Sequence, residues 1–230
     1  MISVITCTNR DGMMDNVFQN YANQRLKNKE LIIILNKDDM DIKKWKAKAK
    51  KYKNVFIYHL PEKMTVGQCK NFAVPKTNYS HIAKFDDDDY YAPRYLEFAW
   101  KAFRKNKQAA IVGKSSIYYY FKRSMKLGLF SSNAEYQFVK WVADSTLVFK
   151  KEIFKHVQFS KMKVGSDQRF QMDCKKKGFY IYSTSRHDHT VIRSENPNNH
   201  TWKINDSDLL KTCTNIVHTN DFKPIVTSPV

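Results

Sequence analysis

The sequence predicts an α/β fold, a Rossmann-like, mostly parallel central sheet with helices on both faces, and three observations lead there. Short apolar, β-branched runs recur, the clearest being Glu30-Leu-Ile-Ile-Ile-Leu35; continuous runs of this kind suit parallel strands covered on both sides. Stretches of helical pattern alternate with them at short spacing, as crossover connections require. The polar segments 7–12, 36–39 and 86–89 each follow a strand, so they gather at the carboxyl edge of the sheet, where such folds bind ligands.

Taken in order, Ile2 to Thr6 reads as a buried strand, followed by a loop and a helix from Met13 to Gln24. Glu30 to Leu35 is the second strand, a Lys-rich helix runs to about Lys51, and Val55 to Leu60 is the third strand. Thr65 to Val74 reads as a helix stopped before Pro75. Ser80 to Phe85 is the fourth strand, Pro93 starts an amphipathic helix to Arg104, and Ala109 to Val112 is a strand. Beyond residue 113 the rhythm changes. Ser115 to Phe121 and Ser145 to Phe149 read as strands, residues 122–140 as irregular or partly helical, Asp167 to Lys177 as a helix ended by Gly178, and Phe179 to Ser183 as a strand. Residues 196–199 read as a turn, and the chain from Leu209 as a terminal helix or a tail. With no repeat and no Ser/Gly/Pro linker, the reading is one domain over 1–230, with a regularly alternating half (1–113), a second half of changed rhythm (114–192) and an extension (193–230).

Hydrophobic residues make up 42% of the 230 residues, enough for a sizeable core, and Gly and Pro number six each, which excludes disordered and collagenous classes. Forty Lys and Arg against 22 Asp and Glu leave a net charge of +18, which attracts anions: a phosphorylated small molecule, nucleic acid or an anionic membrane surface. No segment approaches the roughly 20 apolar residues of a membrane span, so any membrane contact is expected to be peripheral. Cys7, Cys69, Cys174 and Cys213 form no C-x-x-C pair and read as reduced thiols of a cytoplasmic protein.

The run Asp86-Asp87-Asp88-Asp89 follows the strand His81-Ile-Ala-Lys-Phe85. Adjacent carboxylates raise one another's pKa unless a cation compensates. If the strand continued, Asp86 and Asp88 would share one side and Asp87 and Asp89 the other. A carboxylate pair at a strand end can hold Mg²⁺ or Mn²⁺ and leave positions for phosphate oxygens. A solvated acidic turn is the simpler reading, but the run's place behind a buried strand of a strongly basic chain favours chemistry.

The pieces Ser3-Val-Ile-Thr-Cys-Thr-Asn9-Arg10, Glu30-Leu-Ile-Ile-Ile-Leu-Asn36, Gly67-Gln-Cys-Lys70-Asn71, Phe85-Asp-Asp-Asp-Asp89 with Pro93, Gly165-Ser-Asp167 and Arg186-His-Asp-His189 occur in that order over about residues 1–192. In this the chain resembles the inverting glycosyltransferases of family 2, of GT-A fold, and within them bacterial cell-surface polysaccharide or spore-coat-associated transferases. The resemblance implies that Thr6, Thr8, Asn9 and Arg10 line the nucleotide pocket, and that Asn36 stands where the family usually has an acid. It further implies that Lys70 meets the diphosphate and Asn71 orients the nearby loop or the base pocket. Asp86, with Asp87 beside it, positions the nucleotide; Asp88 ligates the metal, with Asp86 as a further contact and His189, or else His187, as a third metal or phosphate contact. Asp167 is the general base, preceded by Ser166 in place of the common Glu. Trp141, Asp144 and His187 lie on the acceptor side, Trp141 as a sugar-stacking or core residue. For Asp39 and Asp41 helix capping is the plainer role.

The implied partners are a UDP- or dTDP-sugar donor and a glycan, polymer or lipid-linked acceptor, placing the protein in the cytoplasm or against the inner face of the membrane. Two other classes remain open on the sequence: a nucleic-acid enzyme, favoured by the charge but opposed by the contiguous Tyr118-Tyr119-Tyr120, and a binding protein on a degenerate fold, favoured by Asn36-Lys37 and Ser166.

Overall fold

The computed structural model describes residues 1–131, 133–196 and 203–228; the expected turn at 196–199 lies outside these from Pro197 onward. The first half alternates as the sequence predicts: β1 (Ile2–Thr8), α1 (Met14–Ala22), β2 (Lys29–Leu35), α2 (Ile42–Ala49), β3 (Val55–His59), α3 (Val66–Ala73), β4 (His81–Lys84), the short β5 (Tyr90–Tyr91), α4 (Tyr95–Lys105) and β6 (Ala109–Gly113). The second half holds β7 (Ile117–Phe121), β8 (Lys126–Phe130), β9 (Phe138–Val139), β10 (Val148–Lys150), α5 (Ser166–Lys176), β11 (Tyr180–Ser183), β12 (His189–Arg193), α6 (Asp206–Lys211), β13 (Thr214–His218) and α7 (Lys223–Val226).

The strands form two sheets among the described residues. The larger has the order β3-β2-β1-β4-β10-β6-β11-β9, with β3, β2, β1 and β4 mutually parallel and β10 inserted antiparallel between β4 and β6. Period-two alternation sorts each strand's side chains onto two faces. Val4, Leu31, Ile33 and Ala83 pack with Phe18 of α1, Trp45 of α2 and Leu96 of α4. Ile5, Ile32, Ile34 and Ile82 pack with Ala73 of α3 and Phe170 of α5. The second sheet, β13-β8-β7-β12-β5, stands beside the carboxyl edge of the first and contacts the acidic run through β5 and β12.

Three elements differ from the sequence reading. Residues 122–140 hold a 3-10 turn at Lys122–Ser124 and an irregular stretch, as read, but also two strands the reading lacks: β8 forms an antiparallel hairpin with β7, with Met125 at φ 50° turning the chain, and β9 joins the larger sheet. His189 opens a strand, β12, in a stretch where the sequence reading places no element. The C-terminal stretch holds β13, paired to β8, as well as two short helices. Each of these depends on a partner distant in sequence, which local pattern does not carry.

Helix α3 starts with a capping box between Thr65 and Gln68 and lies close enough to the loop before α5 that a Cβ on Gly67 would sit 2.0 Å from the Ser160 carbonyl oxygen. Asn71 fixes that loop from the same helix, accepting from Phe159 N (2.9 Å) and donating to Phe159 O (2.8 Å). Gly67→Ala is therefore expected to destabilise the fold by about 1–3 kcal/mol, a fall of roughly 2–12 °C in Tm for a chain of this size. Gly12→Ala, where a Cβ meets nothing within 4 Å, should leave Tm unchanged; thermal melts of the two variants check the pair.

Candidate functional site at the carboxyl edge

β1, β2 and β4 end at one edge, and the site is built there from the loops that follow them. β4 stops at Lys84, so the acidic run is a turn beyond the strand. The alternation of sides nevertheless persists: Asp87 and Asp89 are buried, while Asp86 and Asp88 are partly exposed. Asp87 accepts from the Thr8 hydroxyl (2.5 Å) and from Arg10, whose guanidinium also reaches Asp88 at 2.9 Å. The backbone of the turn is fixed by α1, with Asn16 donating to the carbonyls of Asp87 and Asp89 and Asn20 to that of Asp89. Tyr91 stacks on Phe85 with centroids 3.8 Å apart, and its hydroxyl accepts from Asp86 N and donates to Ser145 O.

Asp89 points toward the second sheet. It accepts from Ile192 N (3.1 Å), and its Oδ2 lies 3.3 Å from His189 Nε2. Burial and then Asp86 push the Asp89 carboxyl up to about 8, and burial, then Lys114, push His189 down to about 3. At neutral pH this contact joins two uncharged groups. Neither ring nitrogen of His189 has a hydrogen-bond partner of good geometry. Burial, Asp89 and Asp87 raise Asp88 to about 7 in spite of Arg10.

The centre of the site is Lys84, a residue not singled out from the sequence. Its buried ammonium touches Asp86 Oδ1 (2.9 Å), the Asp144 carbonyl (3.2 Å) and Asp167 Oδ2 (3.6 Å). Lys70, also buried, holds the other oxygen of Asp167 at 2.5 Å. Burial alone would raise the Asp167 carboxyl, but the charges of Lys84 and Lys70 outweigh it and hold the group below its ordinary value. Asp144 lies next to this cluster; Gln171 of α5 donates to its carboxylate (3.0 Å), and burial and Asp167 raise it to about 6. Lys70, Asp86, Asp144 and Asp167 thus come together around one lysine.

The remaining residues are spread along the same edge. Thr6 is buried in β1, Asn9 is exposed, and Asn36 donates to the Pro61 carbonyl beside Thr8. Asn71 faces the 159 loop instead of the carboxyl edge. Trp141 is 65% exposed, three residues before Asp144. His187 rests against Tyr118 with ring centroids 5.8 Å apart. Asp41 caps α2 through Lys44 N, as expected, and Asp39 pairs with Lys37. Two signals for the missed residues were present: a lysine inside an otherwise apolar strand, two positions before an aspartate, and the inward parity of Asp89.

Among the described residues, no three His, Cys, Asp or Glu side chains converge as a ready-made metal cage, and no helix is long and apolar enough to cross a membrane. The family profile described as Glycosyl transferase family 2 matches residues 3–169. No curated protein matches the chain. Among solved structures, S. aureus TarS residues 1–349 in complex with UDP-GlcNAc superposes with a TM-score of 0.70 at 15% identity, covering 92% of this chain and 64% of that one. The same fragment with UDP gives a TM-score of 0.66 at 16% identity, with coverage of 84% and 60%. Full TarS gives 0.66 at 15%, and the chain spans 36% of its length. These likenesses establish a shared fold.

The shifted groups set the pH dependence of folding. A carboxyl raised by folding is destabilised when charged, so stability falls as pH climbs from its unfolded value, about 3.9, to the raised one. His189, lowered by folding, acts oppositely but only below its unfolded value of about 6.5, and Lys114, brought down to about 8 by burial, acts only above that. From about pH 6.5 to 8 Asp88 and Asp89 therefore dominate. Without divalent metal, Tm is expected to fall across this window, and Asp89→Asn to flatten the fall. A wild-type Tm that rises there in calorimetry would contradict the burial of these carboxylates.

Proposed function

The chain belongs to glycosyl transferase family 2, and from that premise we propose that it moves a sugar from a nucleotide diphosphate sugar, UDP- or dTDP-linked, to an acceptor hydroxyl with inversion at the anomeric carbon. The observation that carries the reading is the meeting of Asp86, from the acidic turn, and Asp167, from α5, at the Lys84 ammonium. It joins a donor-positioning carboxylate and a base in one cluster.

Asp167 is the proposed base. Held ionised by two buried lysines, it takes the acceptor hydroxyl's proton as that oxygen attacks the anomeric carbon. The bond to the diphosphate breaks on the opposite face, and the diphosphate leaves with the electron pair. Thr8, Arg10 and Asp87 form a rigid wall for the nucleotide, with Thr6, Asn9 and Asn36 along the same edge. Asn71 acts at a distance by holding the loop that leads into α5. Trp141, Asp144 and His187 face the acceptor, a glycan, polymer or lipid-linked hydroxyl compound. S. aureus TarS is known in complex with UDP and UDP-GlcNAc, which makes UDP the first nucleotide to test.

A divalent ion, Mn²⁺ or Mg²⁺, fits the chemistry of the acidic turn. Asp88 is a carboxyl raised by burial and then by Asp89 and Asp87, which a nearby cation would offset, and His189 is a buried imidazole whose ring nitrogens have no hydrogen-bond partner of good geometry. Asp88, with Asp86 and His189, would hold it, and it would supply positive charge to the leaving diphosphate.

Calorimetry with UDP-, dTDP- and GDP-sugars plus Mn²⁺ tests donor binding. One donor is expected to bind only with metal and to be lost in Asp88→Ala; absence of binding by every donor would overturn the reading. Asp167→Asn is expected to keep donor binding and lose about 10²–10⁴-fold in transfer. The pH profile separates the two neighbouring acids. With Asp167 as base the rate stays level through pH 6, whereas an inflection near 6 that vanishes in Asp144→Asn would assign the base to Asp144.

A further inference from the structure

The edge opposite the acidic turn has a composition of its own. The parallel topology brings the amino ends of β1, β2, β3, β4, β6 and β11 to it, together with the carboxyl ends of the connecting helices. The connections there are lysine-rich: Lys51 and Lys53 after α2, Lys76 after α3, Lys107 after α4 and Lys177 after α5 are all exposed. β10, running the other way, adds Lys150 at its end, with Lys155 beyond it. Helix dipoles favour lysine in a last turn, but Lys53, Lys107, Lys150 and Lys155 lie outside α-helices. None of these seven lysines forms an ion pair among the described residues. Of the acids at this edge, Glu30 is buried on Ser3 and Asn78 and Asp173 pairs with Arg169 and Lys176, while the exposed Glu152 is outnumbered by Lys150, Lys151 and Lys155 around the same recess.

The same edge contains a cavity of about 720 Å³ between the ends of β4 and β10, walled by Val74, Pro75, His81 and Phe154 with Lys150 and Lys155 beside them. Burial, and positive charge that includes Lys150, push His81 down to about 4, so the cavity is apolar in lining and positive in potential. An apolar recess ringed by lysines complements a surface that is anionic outside and hydrocarbon within. Nucleic acid would call for a series of exposed stacking rings among the lysines, and of the most exposed aromatic rings, Tyr136, Trp141 and Tyr180, Tyr180 alone opens a strand at this edge.

We propose that this edge docks on an anionic phospholipid bilayer, the lysines facing lipid phosphates and the cavity taking apolar lipid surface. The donor edge then faces away from the membrane and stays open.

The test is co-sedimentation of the full chain, without donor or metal, with vesicles of phosphatidylcholine alone or mixed with phosphatidylglycerol. Binding is expected only to the mixed vesicles. Each lysine near an anionic surface contributes about fivefold, so Lys150→Gln/Lys155→Gln should lower the partition about 25-fold. Lys43→Gln/Lys44→Gln, exposed on the first turn of α2 at the other edge, removes the same charge and should cost under about threefold, because the field decays within a Debye length. Equal losses for the two pairs, or retained binding in the first, would overturn the proposal. So would a DNA duplex that binds the wild type more tightly than the mixed vesicles and loses its binding in the same variant. Since no donor is present, the result stands or falls independently of the proposed transfer reaction.

Discussion

The ammonium of Lys84 is the constraint on which the site depends. It is a charge at the end of an apolar strand, and in isolation its burial would be strongly unfavourable. Asp86, Asp167 and the Asp144 carbonyl offset that cost, and each comes from a different part of the chain: the turn after β4, the start of α5 and the 3-10 turn before β10. The charge is satisfied only when all three segments have arrived. Removing one partner of such a buried pair costs about 3–5 kcal/mol, since the other is left without compensation. The cluster therefore couples completion of the fold to completion of the site, and Lys70 strengthens the coupling from α3.

The acidic turn solves a related problem by separation. Four adjacent carboxylates cannot share one environment without repulsion, and here they are divided among several neighbours: Lys84 for Asp86, Thr8 and Arg10 for Asp87, Arg10 again for Asp88, and His189 with the Ile192 amide for Asp89. Asp89 depends on the second sheet. β12 is held by β7 and β5 and, before it, by Asp188, which sits at φ 73° and accepts from both the amide and the hydroxyl of Ser228. The second sheet and the C-terminal segment thus act on the acidic turn through one buried aspartate.

Which parts of this were legible in the sequence follows from what each depends on. The parallel half was legible because apolar periodicity and strand-helix alternation are local, and Glu30–Leu35 could be little else. The carboxyl edge followed from topology, so the polar loops and the acidic turn were placed together by pattern, whereas Asp167 joined them only through the family resemblance. β8, β12 and β13 were not legible, because they take their structure from pairing across long separations. The partners of Lys70 and Asn71 were also hidden: a basic residue on a helix gives no sign of whether it faces a ligand or a carboxylate 97 residues away. Lys84 was the detectable omission, since a charge within a buried strand has to meet a partner.

The net charge of +18 describes neither edge of the molecule. In a parallel α/β sheet every crossover helix points its amino end at the carboxyl edge, so that edge carries the positive ends of the helix dipoles and suits anionic ligands and acidic side chains. The opposite edge carries the negative ends and suits lysine. The topology therefore sets the four aspartates at one end of the strand axis and a set of lysines without ion pairs among the described residues, Lys51, Lys53, Lys76, Lys107, Lys150, Lys155 and Lys177, at the other. On the proposed reading a phosphate-bearing donor would meet two specific cations, Arg10 and Lys84, each already held by aspartates. The diffuse positive field belongs to the far edge, where it can act on a surface without competing for the donor.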